Sequence, residues 1–155
     1  KKLAAIFAFY ILFIAPVFSQ ETINQAFEIK VITSVESVVP SGLGRSRILS
    51  SNDERDYEQF SSEQTDDNSS RNKAKRKDIR VKNFEETKLL NFYNLGGIHF
   101  QNIVANDAVI SSKLTAMLSE GWDLIFVTSA VESDAGDNDD NGIFITRYIF
   151  KRTLN

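Results

Sequence analysis

Residues 106–131 read NDAVISSKLTAMLSEGWDLIFVTSAV, and their reading decides the fold. Ile110, Leu114, Met117 and Leu118 recur at i, i+4, i+7 and i+8, while Ser112, Lys113, Ser119 and Glu120 fall on the opposite side. That is the stripe of an amphipathic helix, with Asn106 or Asp107 as its expected cap. Gly121 stands where a helix wants a left-handed residue to stop on. Leu124–Val131 then runs almost unbroken in apolar and β-branched residues, and Ile143–Lys151 does the same. The polar, glycine-bearing stretch 132–142 between them makes an antiparallel hairpin the simplest connection. The helix is expected to pack across one face of the resulting sheet.

Working back, Phe27, Ile29, Val31, Thr33 and Val35 alternate with Glu28, Lys30, Ser34 and Glu36, and only Ile32 spoils the polar set. A period of two predicts a half-buried strand, closed by Pro40, Gly42 and Gly44. Residues 79–93 mix apolar and charged side chains without a clean period; 86–93 leans to strand, Gly96-Gly97 marks a turn, and 98–103 reads as extended. The fold class that follows is α+β: an antiparallel sheet of three to five strands, one main helix on one face, and a disordered insertion after the first strand.

That insertion spans 50–77. Asn52 to Ser70 holds seven acidic residues, and Arg71 to Lys77 holds five basic ones. Neither block has the apolar surface to offset the entropy of ordering it. Residues 20–155 therefore read as one small domain.

The first nineteen residues read as a cleavable secretory signal: Lys1 and Lys2, an apolar run from Leu3 to Phe18 broken only by Pro16, and Ser19 before Gln20. The run is shorter than the ~20 residues of a spanning helix. An exported product is expected, periplasmic or extracellular, with no transmembrane segment after cleavage. The chain carries 18 basic and 21 acidic side chains, and loss of two lysines with the leader makes the remainder more acidic still. There is no cysteine, which excludes disulfides, thiolate catalysis and a lipid-bearing cysteine. Twelve Phe, four Tyr and one Trp supply the volume of a core that has no covalent staple.

The E-G-W-D-L that closes the helix, together with the terminal I-F-I-T-R-Y-I-F-K-R, resembles a family of very short bacterial domains of unknown function. Members of that family begin with a strand of the type Y-E-Y-K-V, to which Phe27-Glu28-Ile29-Lys30-Val31 is similar. The resemblance covers residues 27–36 and 107–152 and implies a strand–helix–strand–strand unit. It carries no established activity and no catalytic residues. It makes Gly121 and Trp122 structural, the glycine stopping the helix and the indole lying over the helix–sheet seam.

Four constellations bear on chemistry. Asp137, Asp139 and Asn141, followed by Gly142, spell the first half of a calcium loop, with Glu132, Asp134 and Asp140 near. The twelfth loop position is Tyr148 instead of a bidentate Glu. Calcium is thus an alternative to a chain with no cofactor. Gly42-Leu43-Gly44 beside Arg45 and Arg47 offers an anion-binding turn, without the Lys-Ser/Thr of a nucleotide loop. The basic run 71–77 lacks interleaved aromatics and lies in an acidic, exported chain, so nucleic acid is not an expected partner. His99 is the only histidine, and Glu85 and Glu86, being adjacent, point different ways. No triad or transition-metal set assembles, and an enzyme is not expected. The leading expectation is an exported, non-catalytic binding or envelope-associated module with a protein or envelope component as partner. The alternatives are a calcium-dependent extracellular module using loop 132–142 and a small carboxylate-dependent hydrolase.

Overall fold

Eleven residues of alternating sequence and eleven at the other end of the chain form the centre of the sheet. In the computed structural model, which describes residues 26–37, 46–67, 69–94, 96–132 and 142–154, β1 (Phe27–Ser37) lies antiparallel to β7 (Ile143–Thr153), from Phe27 opposite Thr153 to Ser37 opposite Ile143. On the far side of β1 come β2 (Arg47–Ser51) and β3 (Phe84–Lys88), and on the far side of β7 comes β6 (Asp123–Val131). The order is β3-β2-β1-β7-β6, antiparallel throughout. A two-residue pair, β4 (Tyr93–Asn94) with β5 (Gly97–Ile98), precedes the main helix α2 (Phe100–Ser119). This is the expected α+β class, at the upper end of the expected strand number. The 124–131 and 143–151 strands form the expected hairpin, closed by Glu132 N–H donating to the Ile143 carbonyl.

The helix lies on the face of the sheet that carries Ile32, Ser34 and Glu36. Alternation puts Ile48 of β2 and Phe150 of β7 on that same face. With Leu89, Ile110, Met117 and Trp122 they make the core, and Leu114 and Tyr148 pack against it. Here the structure reverses one expectation. The apolar set Phe27–Val35 faces away from the helix, and the "spoiling" Ile32 is the core residue, 1% exposed.

Helix α2 begins at Phe100 with His99 as N-cap, not at Asn106 or Asp107. The extended reading of 98–103 is therefore overturned beyond Ile98. Nothing in Phe100–Ala105 opposes a helix, and the Asn106 side chain is engaged with the Leu90 backbone. At the other end Gly121 takes φ +83°, and the helix stops as expected. Trp122 is buried at the seam, with the Arg152 guanidinium 4.3 Å and the Lys30 ammonium 5.9 Å from its ring centre.

Strand β2 has no counterpart in the sequence reading, so the polar excursion leaves from β2 and not directly from β1. It returns at β3, with Ser51 opposite Phe84. Its ends are clasped: Asn52 N–H donates to the Asn83 carbonyl at 3.0 Å, and Arg55 donates to the Arg80 carbonyl at 2.9 Å. Between them lie a 3₁₀ turn (Tyr57–Phe60) and the one-turn helix α1 (Arg76–Ile79), neither with a buried residue. No helix among the described residues is long and apolar enough to cross a membrane. The proposed leader, residues 1–19, lies outside the described residues.

Candidate functional site

The face of the sheet away from α2 follows from the register. β1 contributes Phe27, Ile29, Val31, Thr33 and Val35. Opposite them stand Leu49 on β2 and Ile145 and Ile149 on β7. One strand further out, Phe84 pairs with Ser51 and Phe126 with Ile149. No described element covers this surface. Phe27 is 55% exposed, Ile29 48%, Val31 42%, Phe84 50% and Phe126 60%. At 150–250 Å² for each of the three phenylalanines and somewhat less for Ile29 and Val31, these five leave an apolar patch of roughly 400 Å², the size at which such patches mark contact sites. A depression of about 380 Å³ lined by Val31, Thr33, Leu49, Val81 and Phe84 dents it on the β2–β3 side.

Charge on this face is uneven. Arg47, Lys88, Arg147 and Lys151 project from it, against Glu86 and Asp123. Arg47 pairs with Glu86 at 2.8 Å, and Lys151 stands 4.5 Å from the ring centre of Phe27. The face is cationic on a chain whose formal net charge is −3. Asp123 sits opposite Lys151, so the remaining basic character concentrates at Lys88 and Arg147.

At the start of β1 a cleft of about 630 Å³ opens where β2 has already diverged. Glu28, Lys30, Asp53, Glu54, Arg55 and Arg152 line it, with Trp122 at its floor. Its charges neutralise one another: Arg152 pairs with Glu28, and Arg55 pairs with Asp53 at 3.2 Å. Asp53 is the hub of the clasp, and hydrogen bonds from Asn83 above all hold its carboxyl below the usual range.

Under the helix lies a buried polar group that the sequence reading missed. Asn106, 1% exposed, accepts from the Leu90 N–H at 2.8 Å and donates to the Leu90 carbonyl at 2.8 Å. Its Nδ2 also donates to Glu36 Oε1 at 2.9 Å. The amide thus stands in for a strand partner to Leu90, which is why it cannot cap its own helix. Burial raises the Glu36 carboxyl above its ordinary value, the Asn106 hydrogen bond opposes the shift, and Asp107 adds to it. Tyr148, on the same face, is raised by burial first, with the Ser34 hydroxyl opposing and Glu36 and Asp107 reinforcing. This group joins β1, the 89–91 segment and α2, its hydrogen bonds divided between the Leu90 backbone and the Glu36 carboxyl.

The residues singled out by sequence are scattered. Glu85 points to the helix and holds Lys113 at 2.8 Å, whereas Glu86 points to the open face and holds Arg47. His99 is half-buried at the helix start, its N–H donating to the Phe92 carbonyl. Arg47 lies in a strand, while Arg45 and the glycines beside it lie outside the described residues. So do Asp137, Asp139 and Asn141; among the described residues no three His, Asp or Glu side chains cluster to hold a metal. Of the signals for the open face, the alternation of 27–35 was visible; what was not visible was which side the helix would take.

Set beside known proteins, the chain matches no family model, no curated relative and no solved structure.

Proposed function

We propose that this chain is an exported, non-catalytic binding module whose contact surface is the open face of the sheet. Its partner is a protein segment that offers apolar side chains flanked by carboxylates. The observation that carries the reading is the conjunction on one face of exposed Phe27, Ile29, Val31, Phe84 and Phe126 with the cations Lys88 and Arg147. Apolar anchors supply affinity, and the cationic rim selects the charge of the partner and steers its approach. The paired state of Glu85, Glu86 and Asp53 supports a binding role over carboxylate catalysis, since each carboxylate is held by a basic or amide group. Kinship with the short bacterial domains belongs to the same proposal, supported by the order β1, α2, β6, β7 and by the helix stop at Gly121 before the buried Trp122. The envelope or the extracellular space is the compartment, supported by the leader-like residues 1–19.

The test uses two synthetic amphipathic peptides with the same apolar stripe, one flanked by Glu and one by Lys, titrated into the isotope-labelled protein. The acidic peptide binds more tightly, and the amides it perturbs lie in β1, β2 and β7. Ile29→Ser with Phe84→Ser removes the binding while the far-ultraviolet spectrum stays unchanged. Equal binding of both peptides, or perturbation confined to the cleft at Trp122, overturns the proposal. So does tight binding to phosphatidylglycerol vesicles with none to either peptide.

A further inference from the structure

The two outer edges of the sheet are built differently. β3 reads Phe84-Glu85-Glu86-Thr87-Lys88, with three charges in its five residues, and charged side chains are a standard guard on a strand edge. β6 has a single charge, Asp123, at its first position. Leu124 to Val131 carry no charge and no proline, and all nine residues of the strand are exposed. β7 is the only described strand beside it, so its outer row of main-chain N–H and C=O groups faces no strand among the described residues. A register shift between Leu124 and Phe126 bends the start, leaving Phe126–Val131 as the regular part.

We infer that β6 is a self-association edge: two copies of the chain pair β6 to β6, antiparallel, about a two-fold axis normal to the sheet. Three considerations select a second copy as the occupant. A bare strand edge needs another strand, and a two-fold axis imposes antiparallel pairing and closes the assembly at two. The uncharged run from Leu124 to Val131 meets itself without like charges opposed along its length. Pairing β6 on β3 of another copy would instead set Glu85, Glu86 and Lys88 against apolar side chains and would propagate without closing. Nine residues span about 30 Å of edge, so the contact falls below the ~1,200 Å² of standard interfaces and the association is reversible. The axis leaves both helices on one side and both open faces on the other, joining the two patches into one continuous surface. The inference stands on the edge of β6 and does not depend on what the open face binds.

Sedimentation velocity across the micromolar to millimolar range tests it. A monomer–dimer equilibrium is expected, and hydrogen exchange of β6 amides slows as concentration rises. Val127→Lys and Ser129→Lys each bring like charges together across the axis and weaken association several-fold, with thermal melts unchanged. Glu85→Ala with Lys88→Ala, on the opposite edge, leaves association as it was. A sedimentation coefficient that stays monomeric throughout the range, or β6 exchange indifferent to concentration, overturns the inference. So does association that survives both lysine variants, or that is lost on Ile29→Ser with Phe84→Ser; the peptide titration reads the open face separately.

Discussion

At the scale of single residues, Asn106 holds together three parts of the chain that are distant in sequence. Its amide satisfies both main-chain groups of Leu90 and reaches Glu36 across the helix–sheet seam. Asn106→Ala leaves those buried groups unpaired and is expected to cost about 2–4 kcal/mol, read by urea unfolding; a loss within experimental error would show the clasp to be incidental. Glu36 carries the opposite sign. Its folded-state value lies above the ordinary 4.5 because burial disfavours the charged form. The stability it contributes is full below the unfolded value and is lost as pH rises through the folded one. Glu36→Gln keeps an oxygen for Asn106 but cannot ionise, so the variant should be more stable than the parent at pH 7, with the gain vanishing on acidification. A gain that grew toward low pH would contradict the cause assigned to the shift. Neither residue was legible as a site in the sequence: an Asn near a helix start reads as a cap, and a Glu in an alternating strand reads as solvent-facing.

At the scale of elements, periodicity was informative where one side of an element is consistently apolar. Ile110, Leu114 and Met117 located α2, Gly121 its end, and the apolar runs located β6 and β7. Leu118, in the same stripe, is nevertheless 53% exposed. β1 misled for a different reason. Only Ile32 is apolar on its helix side, among Glu28, Lys30, Ser34 and Glu36, yet the helix settles there because the neighbours Ile48 and Phe150 complete a core around it. β2 escaped notice because its five residues, Arg-Ile-Leu-Ser-Ser, are too few and too polar to stand out. The excursion 52–83 is the length of a small domain's loop several times over, yet β2 and β3 are direct neighbours with Ser51 opposite Phe84. Replacing residues 52–83 with Asn-Gly should therefore keep the sheet, with a melting temperature within about 5 °C of the parent, since loop closure changes slowly with length. Loss of cooperative unfolding would show that the excursion supports the fold and is not merely carried by it.

For the molecule as a whole, the decisive fact is asymmetry. One helix covers one face of a five-stranded sheet, while the other face keeps its aromatic and β-branched side chains in water beside a cationic rim. A fold that exposes such a surface gives up the stabilisation its burial would bring, about 25 cal/mol for each Å², and that cost is the ground on which a binding role is proposed for the open face. The sequence holds no cysteine, so single cysteines placed at Ile29, Val31 or Phe84 and at Ile32 or Ile48 can be labelled with a maleimide one position at a time. At low protein concentration, Ile29→Cys, Val31→Cys and Phe84→Cys should react at rates near those of the urea-unfolded chain, and Ile32→Cys and Ile48→Cys only on global unfolding. Protection of the first three with rapid labelling of the last two would contradict the account.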